Sequence, residues 1–303
     1  MSGNGTVTVN GIFDDPFGLG PTRQRLDEAE TVERMLAAGV RLAGESGLRI
    51  SFDLLRLEDV IAEAGVSRSA VYKRWPRKEQ YYGDLLLRLA GKAHPALAAY
   101  DSGTQEVVFR IALENHEQFR TPTGRHQLLV EMCRLGALRN FNALRERKDW
   151  RIYMAIHAAM LTLPENDYRA ALVDTLKQSE RTFVARMVEF YTIIITALGY
   201  RFRENDSALG MREFTLLGAA AVEGVLLTSG ATTELAERRF IIDPFGTGQA
   251  REWSYPAISF ASVVVALFET EDTSTWSEER MESTHLSLEA MMRTASETAQ
   301  LTD

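Results

Sequence analysis

The chain has 303 residues, 45% of them hydrophobic and 25% charged, with a formal net charge of −8. That is the composition of a soluble globular protein, and the length suits two domains with a substantial apolar core. The lone Cys133 excludes an intramolecular disulfide, and the longest charge-free apolar run, Tyr255 to Phe268, falls short of the ~18 residues a membrane span needs. The first residues lack the basic and apolar regions of a signal peptide, so the expected setting is the reducing cytoplasm. The charge is unevenly spread. Residues 23–92 hold 13 Lys and Arg against 11 Asp and Glu, a balance of +2, which leaves −10 for the rest. A weakly positive end on an acidic remainder suits a protein that meets a polyanion at one end only.

Residues 1–22, rich in Gly, Asn and Thr, read as a mobile tail. A first helix is predicted from Leu26 to Ala43. Val32, Met35, Leu36 and Val40 recur at helical spacing, Asp27, Glu28 and Glu30 sit where the helix dipole favours anions, and Gly44 and Gly47 end it. Two short helices then flank Ala64-Gly65-Val66-Ser67. Gly65 permits a left-handed turn, Val66 plugs the angle between the helices, and Ser67 caps the helix that follows. That helix, Arg68 to Trp75, is bordered by basic side chains. From Ala64 to Lys78 there are Arg68, Lys73, Arg74, Arg77 and Lys78 and no acidic residue. The pattern is that of a helix-turn-helix whose second helix enters the major groove of double-stranded DNA. A fourth helix, Lys78 to about Ala90, carries Tyr81, Leu85, Leu86 and Leu89 on one side.

The spacing of Ala64-Gly65-Val66-Ser67, Val71-Tyr72, Trp75 and Lys78-Glu79 resembles the tetracycline-repressor-like (TetR) family. The resemblance covers Leu57 to Leu89. It implies an all-α fold, with an N-terminal three-helix DNA-binding domain (23–92) and a larger helical bundle for ligand binding and dimerisation (93–272); the polar residues after these read as a C-terminal extension (273–303). It also implies roles. Arg68, Ser69 and Ala70 face base edges, Tyr72 and Lys78 hold phosphates, and Lys73 and Arg74 do so more loosely. An arginine at such a site binds guanine O6 and N7 bidentately, for ~1–3 kcal/mol of discrimination. Two features depart from the family. The stretch from Gly47 to Leu57 is longer by about four residues, and Leu57 and Glu58 stand where phosphate contacts are usual; Arg56 and Arg49 are the replacements. Arg23 and Arg25 are the only candidates for a minor-groove arm.

Beyond residue 104 the pattern is helical and strand-period alternation is nearly absent. Helices are predicted over Gln105–Phe119, Gly124–Leu144, Trp150–Leu163 (stopped by Pro164), Asp167–Leu198, Leu209–Ser229, Tyr255–Phe268 and Ser277–Thr294. Leu209–Ser229 and Tyr255–Phe268 are apolar on nearly all sides, so burial on nearly all sides is expected. The resemblance makes them the pair that builds a four-helix homodimer interface. The connection between them, Ala231 to Ser254, is long enough to be an arm over a partner or a lid.

No catalytic constellation is present: there is no G-x-S-x-G, no Gly-rich phosphate loop and no H-E-x-x-H. His94, His116, His126, His157 and His285 are not spaced, with each other or with Cys133, as zinc ligands are. No enzyme activity, metal or cofactor is therefore assigned. A small-molecule effector is expected in an apolar cavity among the middle helices, with Phe119, Met132, Trp150, Tyr153, His157, Phe183, Met187 and Tyr191 as lining candidates. The expected function is a homodimeric repressor released from a palindromic operator by that effector. The different-class alternative, favoured by Leu57 and Glu58, is a soluble helical ligand-binding or scaffold protein whose helix-turn-helix no longer binds DNA.

Overall fold

The computed structural model describes residues 27–46, 55–92, 102–203, 209–271 and 273–300. The tail, Arg23, Arg25, Arg49 and most of the longer stretch after the first helix lie outside the described residues. Four helices come first: α1 (Glu28–Ser46), α2 (Leu57–Ala64), α3 (Arg68–Arg74) and α4 (Lys78–Lys92). Then follow α5 (Ser102–Glu114), a 3-10 turn (His116–Arg120), α6 (Pro122–Glu146), α7 (Lys148–Met160) and the long α8 (Asp167–Ala197). The remainder is β1 (Tyr200–Phe202), α9 (Met211–Ser229), α10 (Glu234–Glu237), β2 (Arg239–Ile242), β3 (Arg251–Ser254), α11 (Tyr255–Leu267), β4 (Phe268–Thr270) and α12 (Glu278–Gln300). The protein is mostly helical, and no described helix is long and apolar enough to cross a membrane.

Helix starts follow local chemistry. The Asp27 carboxylate accepts from the Glu30 amide at 2.7 Å, and Asn166 does the same for Arg169 at 2.9 Å. Thr121 caps α6 through the Gly124 amide, 3.1 Å away, and Pro122 takes the first position, where no amide hydrogen is needed. Ser254 caps α11 through the Ala257 amide, with Pro256 in its second position. Three expectations need correcting. Gly44 does not end α1, which runs on to Ser46. Four short strands are present where alternation was judged nearly absent: β1 pairs antiparallel with β4 and β2 with β3. The third concerns α9, whose apolar surface is not covered on all sides. Leu216, Leu217 and Leu227 are exposed, Leu227 at 63%.

The connection after α9 docks on its own chain. The Phe245 carbonyl meets the His126 ring at 2.7 Å, the Gln127 amide donates to the Thr247 carbonyl at 2.8 Å, and Arg134 donates to the Glu252 carbonyl. Its hairpin loop closes on the Asp243 carboxylate, which accepts from the Thr247 and Gly248 amides; those hydrogen bonds hold its pKa below the ordinary value.

One apolar core runs from Met35, Val60, Val71 and Trp75 through Leu85 and Leu89 to Phe141, Leu144, Trp150, Leu172 and Val222. The first four helices therefore share a core with α6, α7, α8 and α9. A second core gathers Val108, Phe119, Ile194, Phe214, Trp253, Val264 and Phe268, and the chain's last helix sinks Met281 and Leu288 into it.

The close approach of α1 to α4 depends on Gly39. A Cβ there would lie 2.2 Å from the Tyr81 hydroxyl, which donates to the Met35 carbonyl at 3.1 Å. Gly39→Ala should cost about 1–3 kcal/mol by overpacking and by breaking that hydrogen bond. Adding Tyr81→Phe, which removes the clashing oxygen, should recover part of the loss rather than deepen it. Urea denaturation of both single variants and the double variant reads this; simple additivity would refute it.

Candidate nucleic-acid interface and ligand pocket

The α2–α3 pair is fixed from its turn outward. Gly65 has φ 64, a conformation that costs glycine nothing. Val66 is buried in the angle, and the Ser67 hydroxyl accepts from the Ala70 amide at 3.3 Å. Val71 and Trp75 are fully buried beneath α3, so the helix can show only one face. The Trp75 ring meets Tyr81 edge-on, 5.3 Å between centroids, and its indole N–H donates to Asp84 at 2.8 Å. These contacts lock α3 to α4.

The outward face carries the expected residues. Arg68, Ser69 and Lys73 are exposed, Tyr72 is 46% exposed, and Ala70 is half-buried beside them. Lys78 is exposed at the start of α4, and Arg56 is exposed before α2 with no side-chain cap to that helix. Arg56, Arg68, Lys73 and Lys78 form no ion pair among the described residues, so their charge is free for an outside partner. Arg74 differs. It pairs with Asp84 at 3.3 Å and Glu28 at 3.9 Å and lies over the Trp75 ring. Leu57 is buried, while Glu58 and Asp59 are exposed in the first turn of α2.

A cavity of about 90 Å³ lies among α6, α8, α9 and α11. Met132, Trp150, Phe183, Met187 and Tyr191 line it. Three candidates do not. Phe119 stacks on Trp276 in the second core, 6.2 Å between centroids. Tyr153 and His157 pack on each other beyond Trp150, next to Glu180. Burial depresses the His157 pKa, against the pull of Glu180.

The lining includes residues that sequence reasoning passed over, among them Asn140, Phe214 and above all Glu223. Glu223 is the only acidic residue from Leu216 to Ser229, and that isolation in an apolar helix was the available signal. Burial, and then the nearby Glu180, push its pKa up to about 7. Trp150 is 2% exposed and lines the cavity, and its indole N–H has no hydrogen-bond partner among the described residues. Cys133, also on the wall, is raised to about 12 by burial and so stays a thiol. Among the described residues no group of His, Cys, Asp and Glu could hold a metal ion. The arrangement can enclose a small, largely apolar molecule and meet it with a carboxyl group. No protein-family model matches the chain, and no curated protein does either.

Proposed function

We propose that the chain is a sequence-specific DNA-binding transcription regulator of the TetR type, acting in the cytoplasm as a homodimeric repressor that a small molecule releases from a palindromic operator. One observation carries this reading: a rigidly capped α3 whose outward face presents Arg68, Lys73 and Tyr72, with no intramolecular ion pair on the two cations among the described residues. One short recognition helix reads few base pairs, so two copies must span a palindrome. The open stripe of α9, with Leu217, Ala220, Gly224 and Leu227 at helical spacing, is the surface on which a second copy would pack; Ser262 and Ala266 of α11 are exposed as well. Effector control needs a path from pocket to DNA. Leu144, Trp150 and Val222 line the cavity and also belong to the core that holds Leu85 and Leu89 of α4. A ligand that favours one packing of this shared core would tilt the DNA-binding helices, provided it binds the DNA-incompetent state better.

The test is selection of bound DNA from a random pool at physiological salt, with an enriched palindrome as the expected result. In the enriched site, Arg68→Ala should relax preference at one base pair per half-site, by about 1–3 kcal/mol. Lys78→Ala should weaken binding to all sequences alike and reduce the salt slope by about one. Identical behaviour of the two variants would dismiss the division between reader and anchor. The exposed Glu58 and Asp59 favour a second reading, a helical ligand-binding or scaffold protein that no longer binds DNA. Absence of any enriched sequence, with the protein folded, would select it.

A further inference from the structure

The cavity has direction. Along α9 its wall runs from Phe214 to Glu223, nine residues or ~13 Å of helix at 1.5 Å per residue. About 90 Å³ spread over that length is a slim channel. At one end Phe214 meets Tyr191 and Phe268, with ring centroids 4.9 Å apart in both pairs, and Val264 and Ile194 complete an apolar wall. At the other end α6 finishes, α7 begins, and Trp150 stacks on Tyr153 at 5.1 Å.

The charged lining residue, Glu223, lies at that second end, and its surroundings do not balance it. Glu223 forms no ion pair or hydrogen bond among the described residues, and it feels Glu180 as a like charge. Tyr153 feels both carboxylates, and its hydroxyl donates to Glu180 at 3.5 Å. His157 sits 3.8 Å from Glu180, and its burial disfavours the charged form. The buried indole N–H of Trp150 is unmatched as well. A half-enclosed carboxylate without a cation is costly, and a buried donor without an acceptor adds to that cost.

We propose that this pocket takes an organic cation, a slim apolar body lying along α9 with an ammonium group held at the α7 end by the Glu223 carboxylate beside the aromatic ring of Trp150. The apolar channel excludes charge from the body of the ligand. The carboxylate and the ring face both favour a cation over a neutral or anionic head. This inference rests on the reading of the cavity as a ligand pocket, and the experiment separates the two.

The probes are decylamine, decanol and decanoate, which share one chain and differ only in the charge of the head. Each is titrated into the full chain at pH 8 and 0.15 M salt and followed by calorimetry. Decylamine should bind at least tenfold more tightly than decanol, and decanoate should be weakest. An acidic protein attracts amines everywhere, so the decisive comparison is Glu223→Gln. It should abolish the amine's advantage and leave decanol affinity within a few-fold, with an unchanged helical circular dichroism spectrum as the check on folding. If all three probes bind alike, if decanoate binds best, or if the amine's advantage survives in Glu223→Gln, the cation inference is overturned while the pocket stands. If none of the three binds, both the pocket and the cation inference fall.

Discussion

Trp75→Ala should destabilise the protein by about 3–5 kcal/mol and abolish the proposed DNA binding. The side chain is fully buried where α3 ends, and it contributes at three places at once. Its ring packs edge-on against Tyr81 of α4, its N–H satisfies Asp84, and its face lies beneath the Arg74 guanidinium, 5.2 Å from the ring centroid. Removing it opens a cavity under the whole inner face of a seven-residue helix, and only Val71 remains there as a fully buried anchor. Asp84 is left with Arg74 alone. Trp75→Phe separates the terms. It keeps a six-membered ring against Tyr81 and loses the hydrogen bond with the rest of the indole, so its cost should be about 1–2 kcal/mol. Urea denaturation followed by circular dichroism gives both numbers, and binding to the selected operator gives the functional counterpart. A Trp75→Ala protein that unfolds at the wild-type urea concentration would mean that α3 is held by something other than this contact. A Trp75→Phe protein that keeps its affinity would show that ring packing, rather than the Asp84 bond, sets the angle of α3.

That contact also shows which parts of the fold were readable beforehand. Around Trp75 every signal is local: Gly65 for the turn, Ser67 for the cap, and Val71 four residues before Trp75 for the inner face. Local signals carry over faithfully, and the long α8, bounded by Asn166 and Gly199, followed the same logic. The strands did not. β1 and β4 are three residues each, and their pairing of Tyr200 with Thr270 spans most of the last third of the chain, so no window of alternation exists to be read. For β2 and β3 the turn residues Asp243 to Gly248 were visible, but the flanking runs are four residues long and were absorbed into a connection. The error on α9 has a different origin. Composition counts apolar residues and does not say what covers them, so Leu217 and Leu227 looked buried although this chain leaves them open. In the pocket, Phe119 was placed by the period of a helix that in fact ends at Glu114; it stands on a 3-10 turn and stacks on Trp276, outside the cavity wall. Aromatic and methionine spacing found five wall residues, yet it could not find Glu223, because a search for hydrophobic stripes discards the polar residue that gives a pocket its chemistry.

Glu223 is therefore where pH should act most strongly. Its pKa in the folded protein is about 7, against an ordinary value of 4.5. Between those values the folded state holds a proton that the unfolded chain has released, so stability is fully present below pH 4.5, falls as the pH rises towards 7, and levels off above it. At 1.36 kcal/mol per pKa unit the loss is about 3 kcal/mol. His157 acts in the opposite sense: its depressed pKa withdraws stability as the pH drops below 6.5. The wild-type profile is thus a mixture, and the informative quantity is the difference from Glu223→Gln. The two proteins should be nearly equal in stability at pH 4.5. The variant should then gain steadily on the wild type, to about 2–3 kcal/mol at pH 8. Glu180 supplies part of the shift, so Glu180→Gln should move the window towards lower pH without abolishing it. Urea denaturation at half-unit steps from pH 4.5 to 8 measures all three proteins. Parallel profiles for wild type and Glu223→Gln would mean that the carboxylate is well solvated, and would remove the reason for a cation to seek that end of the channel. A diverging gap that closes when an alkylammonium ligand is added would instead tie the strain on Glu223 directly to the binding it is proposed to serve.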